Sequence, residues 1–289
     1  MPSAAASPVD TLTEINIDDL FDAIGLAAWR RTPLRRLLRP PARRFADIAH
    51  EFDGEVAAHG LAEGSAWMLR RMSGGLEVRG LQHVPVHGPV CVLANHPGMT
   101  DTVALIASLG GRPDLRVIAL DRPFLRALPA VARQLIFVPA DDAPGRLAVV
   151  RRGVQHLKDG GALLTFPAAR IEPDPAVFGA RRALDALADW SASFAVFARL
   201  VPQTACVPAL VSQVLDADAQ RHPLTRLRRR PEDREKLAAA LQVSITRYQR
   251  AKVRVSFGPA LQVDAADTAA LRAALLDRMA RLVDEDGHR

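Results

Sequence analysis

From Gly75 onward, short β-rich apolar runs alternate with segments whose apolar residues recur at helical spacing, and no other feature constrains the fold as strongly. The runs are Leu76 to Val78, Val90 to Ala94, Val117 to Leu120, Leu135 to Val138, Ala162 to Phe166, Cys206 to Val211 and Val253 to Phe257. Between them the spacing predicts helices at about Thr102 to Leu109, Pro123 to Gln134, Gly145 to Lys158 and Arg181 to Val201, with a last helix at about Ala265 to Asp284. Strands separated by helices pair in parallel through crossovers. The expectation is therefore an α/β fold with a largely parallel central sheet and flanking helices. In such sheets the reactive crevice lies beyond the carboxyl ends of the strands, which directs attention to the loops beginning at Asn95, Pro139 and Pro167.

Ahead of the sheet the pattern is helical. Residues 1–12, rich in Ala, Ser and Pro, are expected to form a disordered tail, residues 13–74 an N-terminal helical region, and residues 75–289 the main domain. An acidic amphipathic segment from Thr13 to about Leu26 is followed by an abrupt reversal of charge: Arg30, Arg31, Arg35, Arg36, Arg39, Arg43 and Arg44 interleave with Trp29, Leu34, Leu37 and Leu38. Such a mixture suits an interfacial helix whose apolar side chains enter a headgroup boundary while arginines meet anionic lipid; it suits a solvated basic face equally well. From Ala42 to Met72 a pair of helices is expected, interrupted near Gly54, Gly60 and Gly64.

An apolar fraction of 49% and a charged fraction of 24% over 289 residues are those of a globular protein with a large core. The net charge of +6 is carried almost wholly by arginine and implies an anionic partner: nucleic acid, anionic lipid, or the phosphates of a nucleotide-bearing ligand. Nucleic acid is the weakest of these, because no helix-turn-helix, zinc or aromatic ribonucleoprotein pattern is present and aromatics make up only 5%. Cys91 and Cys206 each lie inside an apolar strand run and read as buried free thiols. No stretch approaches the roughly 18–20 apolar residues of a spanning helix, and the start lacks the basic and apolar regions of a secretory signal. The expected location is cytoplasmic, peripherally associated with the inner face of the cell membrane. No cluster of His, Cys and carboxylates has metal-ligand spacing, so neither a metal nor a bound cofactor is expected.

The strand Val90 to Ala94 delivers Asn95-His96-Pro97-Gly98-Met99-Thr100-Asp101 and then a helical pattern. A strand end exposes the imidazole in the crevice, the Pro-Gly turn reverses the chain, and Asp101 at the helix start reaches back to the ring. A carboxylate on one ring nitrogen fixes the tautomer so that the other nitrogen accepts a proton. No protein nucleophile accompanies this base, which points to activation of a substrate hydroxyl, as in direct acyl transfer from a thioester. Backbone amides near Pro97 to Met99 are the expected oxyanion donors. The plainer alternative is a helix cap pinned by Asp101.

Over roughly Gly75 to Gly258 the sequence resembles the phospholipid/glycerol acyltransferase family, which includes lysophosphatidate and glycerol-3-phosphate acyltransferases. The resemblance rests on Val92-Leu93-Ala94-Asn95-His96 with Asp101, on Val117-Ile118-Ala119-Leu120 through Phe137-Val138, on Leu164-Thr165-Phe166-Pro167, and on Val207-Pro208-Ala209-Leu210. It implies that His96 is the general base and Asp101 its orienter. The implied donor is acyl-CoA or an acyl carrier protein, and the implied acceptor a hydroxyl of a glycerol- or lysophospholipid-type lipid. Substrate contacts are expected from Asn95, Gly98, Thr100, Arg122, Arg146, Phe166, Pro167 and Arg170.

Two departures from the family pattern stand out. Where members read Phe-Pro-Glu-Gly-Thr-Arg, this chain reads Phe166-Pro167-Ala168-Ala169-Arg170-Ile171-Glu172. Arg170 is then read as holding a phosphate or as pairing with Glu172 or Asp174, and Glu172 as partly replacing the lost carboxylate. After Val138, where an arginine is common, Asp141 and Asp142 would repel a phosphate, leaving Arg146 and Arg122 as substitutes. These departures admit two further readings: a catalytically altered relative that binds lipid or acyl-thioester, and transfer to a non-phosphorylated lipid. The run Arg226 to Arg234 reads as a solvated loop or as a grip on phosphates, and Trp190, Phe194 and Phe197 as core.

Overall fold

The computed structural model of the chain describes residues 7–98, 100–139, 143–261 and 267–287. Among them seven strands form one sheet in the order β1-β7-β6-β2-β5-β3-β4. They are β1 (Gly75–Arg79), β2 (Val90–Ala94), β3 (Arg116–Leu120), β4 (Leu135–Val138), β5 (Ala162–Thr165), β6 (Ala205–Ser212) and β7 (Lys252–Phe257). Every neighbouring pair is parallel except β6 with β7, so the α/β expectation holds, and each strand was legible to within one residue of its bounds.

The central strands are legible because both faces are covered, which leaves a continuous apolar run with no polar alternation. Every residue of β2 is buried. Its side chains divide by strand period: Val90, Val92 and Ala94 pack with Ala46, Phe52, Met68 and Leu105 on one face, whereas Cys91 and Leu93 pack with Trp190, Phe194 and Phe197 on the other. Cys91 stands beside Cys206 in register across β2 and β6, and both thiols are free. Burial pushes both upward, Cys206 to about 12, so they act as small core hydrophobes.

The helices differ more from expectation. The first, α1 (Pro8–Ile24), begins within the segment expected to be a disordered tail: Ser7 caps it by accepting the Asp10 N–H, and Pro8 sits at the first turn, where no amide is needed. Residues 1–6 of that tail lie outside the described residues. Next come α2 (Arg35–His59) and α3 (Leu61–Met72), separated at Gly60, whose φ of 87° favours glycine; Gly54 and Gly64 lie inside helices and interrupt neither. Both helices share one core cluster with the sheet. The carboxylate of Asp53 on α2 accepts the Ala130 and Val131 N–H groups, tying the helical region to the β3–β4 connection.

Pro129 divides the segment expected as one helix from Pro123 to Gln134 into two single turns, Pro123–Arg126 and Pro129–Ala132, because proline disfavours helix at the preceding Leu128. The segment Arg181 to Val201 is likewise broken, into Ala180–Leu187 and Ala195–Leu200. At the break the Ser191 N–H donates to the Pro167 carbonyl, which brings Trp190 under the loop that follows β5. The helix α4 (Thr100–Ser108) follows β2, and Thr268–Gly287 closes the chain.

Candidate active site

β2 lies between β6 and β5, so the turn leaving it sits between the loops leaving both neighbours. Asn95 opens the turn and is buried. Its amide donates to the Val211 carbonyl at 2.9 Å and its oxygen accepts the Val211 N–H at 2.7 Å, extending the β2–β6 pairing by one side chain. Asn95 therefore clamps two strand ends, with both ends of its amide engaged by the Val211 backbone.

His96 follows, with 28% of its side chain exposed at the sheet's carboxyl edge. Its Nδ1 lies 2.7 Å from Oδ2 of Asp101, which is fully buried at the start of α4. The same Oδ2 accepts the Gly98 N–H at 2.9 Å, and Oδ1 accepts from the Thr102 N–H and hydroxyl. A carboxylate so surrounded by donors stays an acceptor, which assigns the proton to Nδ1 and leaves Nε2 with a free lone pair. The Phe166 ring stacks on the imidazole at 4.6 Å between centroids and holds its plane. Burial alone would lower the His96 pKa; the adjacent Asp101 charge, its hydrogen bond and the charge of Glu172 outweigh this, and the net direction is upward from 6.5.

Glu172 grips the same turn from behind. Its Oε2 accepts the His96 N–H at 3.0 Å, its own N–H donates to the His96 carbonyl at 2.8 Å, and Oε1 accepts the Trp190 Nε1–H at 2.6 Å. A carboxylate thus reaches the His96 turn although Ala168 and Ala169 stand where the family that the sequence resembles reads Glu-Gly. Ala169 retains the backbone form a glycine would favour, with φ of 51°. Burial raises Glu172 from 4.5 to about 7, only partly offset by the Trp190 and His96 hydrogen bonds.

The sign of the resulting pH dependence follows from linkage. Glu172 holds its proton more tightly in the folded state than its ordinary 4.5, so its stabilising effect is full below that value and is lost as pH rises through about 7. The His96 contribution is also full below 6.5 and is lost as pH rises through its elevated folded value. Proton acceptance by Nε2 has the opposite dependence. The imidazole thus becomes free to accept a proton over the range in which the site loses stability.

Asp174, two residues beyond Glu172 in sequence, is fully buried and accepts the N–H groups of Ala176, Gln213, Val214 and Leu215 at 2.7–3.1 Å. Burial raises its pKa against the pull of those donors. It pins the loop after β6 against the His96 turn, where a Cβ on Gly98 would stand 2.9 Å from Val214. Sequence reasoning named Asp174 only as a possible partner of Arg170, since nothing in a lone aspartate announces a four-amide anchor.

The other residues expected to contact substrate are placed at varying distances from the His96 turn. The Gly98 N–H is spent on Asp101, and Pro97 has none, so neither is an oxyanion donor; Met99 lies outside the described residues. The Thr100 hydroxyl is buried without a partner among the described residues. Pro167 is buried and its carbonyl holds Ser191. Arg170 pairs with Asp189 on the surface, not with Glu172 or Asp174. Arg122 and Arg146 are exposed, Arg122 lying close enough to Asp19 on α1 to pull its pKa down against burial. None of these three arginines shares a hydrogen bond, ion pair or ring contact with His96, Asp101 or Phe166. Asp141 and Asp142 lie outside the described residues.

A cavity of about 630 Å³ lined by Arg79, His83 and Arg278 lies at the opposite edge of the sheet, because β1 and β7 run antiparallel to β6 and their carboxyl ends face away from His96. It is separate from this chemistry.

No protein-family model matches this chain, and no curated protein matches it. Among solved structures the chain is similar to the 1-acyl-sn-glycerophosphate (LPA) acyltransferase PlsC of Thermotoga maritima, with a TM-score of 0.47 and 15% identity, over 96% of this chain and 95% of that one.

Proposed function

We propose that the chain is an acyltransferase that moves a fatty acyl group from acyl-CoA or an acyl carrier protein to a hydroxyl of a glycerol- or lysophospholipid-type acceptor. The observation that carries this reading is the His96–Asp101 pair at the carboxyl end of the central strand, with Nε2 free and the ring's single side-chain hydrogen bond among the described residues going to Asp101. A base without a protein nucleophile activates a hydroxyl of the substrate. In the proposed reaction the acceptor O–H gives its proton to Nε2 while its oxygen attacks the thioester carbonyl. The tetrahedral oxyanion collapses, the carbon–sulfur bond breaks, and the imidazolium returns the proton to the departing thiolate. Buried Asp101, 2.7 Å from Nδ1, stabilises the imidazolium and holds its orientation, in line with the upward shift of the His96 pKa.

Asp101→Asn tests the pair. The amide accepts less well and favours the wrong tautomer, so kcat is expected to fall by roughly 10²–10³ and the acidic limb of the pH–rate profile to move to lower pH. An unchanged rate and profile would reduce Asp101 to a helix cap.

A specific observation favours a non-phosphorylated acceptor as the second reading: the arginines expected to bind phosphate are turned to Asp189 or to the surface. Comparison of neutral and phosphorylated acceptors separates the two.

The reading includes docking on the inner face of the cell membrane. No helix among the described residues is long and apolar enough to cross a bilayer. The arginines of residues 30–44 are not uniformly available to lipid: Arg30, Arg35, Arg39 and Arg43 pair along α1 with Asp22, Asp18, Glu14 and Asp10. Arg31 and Arg36 stay exposed beside Trp29 and Leu37, which are 53% and 73% exposed. Arg228 sits against Gly25, which brings the turn bearing exposed Leu224 and Leu227 to the α1–α2 junction. We expect docking to rest on these apolar residues. Trp29→Ser and Leu227→Ser should each lower partitioning onto anionic vesicles by roughly tenfold, read by sedimentation. Unchanged partitioning would remove this surface from the account.

A further inference from the structure

On the same edge of the sheet as His96, a second cavity of about 470 Å³ opens between the helix Ala217–Gln220 and the turn that precedes β7. Its charged lining consists of Arg221, Arg247, Arg250 and His222 against a single carboxylate, Asp218. That carboxylate is fully occupied neither by geometry nor by burial: it meets Arg221 at 3.4 Å with both side chains more than three-quarters exposed. Arg247 is held in place, its guanidinium lying over the Tyr248 ring and donating to the Tyr248 hydroxyl at 2.5 Å. Tyr248 is itself buried and meets His222 edge-on. Arg250 makes no ion pair with any described residue. The buried Tyr248 ring thus carries the Arg247 guanidinium, and Arg221 and Arg250 line the same cavity, a group of planar forks whose chemistry recognises phosphate.

The cavity is close to the catalytic turn. Val214 packs on Gly98, and Asp218 lies four residues further along the chain, so their Cα atoms are separated by at most about 14 Å. A volume of about 470 Å³ fits a small molecule and is too small to seat a protein surface. We propose that this cavity binds the phosphates of the acyl donor's nucleotide end, with Arg221, Arg247 and Arg250 as the phosphate ligands, while the donor's flexible arm carries the thioester to His96. The inference rests on the acyl-transfer reading and commits to a coenzyme A-type donor over a carrier protein. A lipid headgroup phosphate shares the same chemistry and forms the competing arm of the test.

Binding of coenzyme A to the full-length protein is measured by calorimetry, which requires no turnover. Arg221→Ala/Arg250→Ala is expected to weaken it by roughly 30-fold or more, since each charge-assisted hydrogen bond to a phosphate held in the cavity is worth about tenfold. Arg281→Ala, at the opposite edge, should leave it unchanged. Dephospho-coenzyme A, which needs no variant, should bind wild type several-fold more weakly than coenzyme A, and this difference should shrink in the double variant. Equal affinity of wild type and double variant for coenzyme A would overturn the proposal, as would a loss confined to anionic vesicles. If coenzyme A binds in the arginine-dependent way but no acceptor is acylated, the cavity assignment stands and the acyl-transfer reading falls. If acyl transfer occurs and the donor KM is unmoved in the double variant, the reverse holds.

Discussion

His96→Ala is expected to lower acceptor-dependent thiol release from acyl-CoA by roughly 10³–10⁴, the upper range for a general base acting alone, while the fold is kept. The side chain contributes little to the core: it is partly exposed, whereas its backbone carries the two hydrogen bonds to Glu172 that fix the turn. Alanine preserves both. Circular dichroism should therefore match wild type, while the melting temperature falls by a few degrees through loss of the Phe166 stacking contact and of the partner of fully buried Asp101. Full retained activity would remove His96 from the mechanism.

The largest expected effect on stability comes from Asp174→Ala. That change strands the N–H groups of Ala176, Gln213, Val214 and Leu215, all satisfied by one carboxylate that is fully shielded from water. Each buried orphaned donor costs about 1–3 kcal/mol, so a net loss of roughly 4 kcal/mol and a fall in Tm of about 10 °C are expected after partial relaxation. The proposed acyl transfer should fall as well, because the released loop carries Val214 away from Gly98 and the His96 turn. Asp174→Asn, which keeps one acceptor oxygen, should cost less than half as much. Equal Tm values for wild type and Asp174→Ala would show that the loop is held by packing alone.

What the sequence could and could not reveal follows from how each feature is encoded. The strands were legible because a buried parallel strand writes its burial as an unbroken apolar run, as Val90 to Ala94 does. The His96–Asp101 pair was legible because both partners lie within one turn of chain, where spacing alone dictates proximity. Glu172 was singled out as a replacement carboxylate, yet its union with Trp190 depends on a helix break that no periodicity marks. Asn95 and Asp174 were hidden for a related reason: their partners, Val211 and residues 213–215, are distant in sequence, and side-chain-to-backbone bonds leave no signature in the partner's identity. The partner of Arg170 was not legible because a basic residue near a strand's carboxyl end has many acids within reach, and Asp189 arrives only through the same broken helix.

One pattern in α1 and α2 also escaped reading as separate segments. The acidic and basic stretches were treated independently, but they are antiparallel partners, with Arg35 alone bridging Glu14 and Asp18. Exposed pairs of this kind contribute only a few tenths of a kcal/mol each. Their main consequence is to neutralise charge on this surface, so that the proposed docking on lipid would rest on Trp29, Leu37, Leu227 and the exposed arginines nearby.

The measurement that tests the central claim most directly is thiol release by the wild-type protein from a panel of acyl-CoAs, with and without lysophosphatidate, glycerol-3-phosphate and neutral hydroxyl lipids, with the acylated product quantified alongside. The account predicts release that depends on one acceptor class and matches acylated product one for one. Release without any acceptor, accompanied by free fatty acid, or no release from any pair while coenzyme A and vesicles still bind, would contradict it.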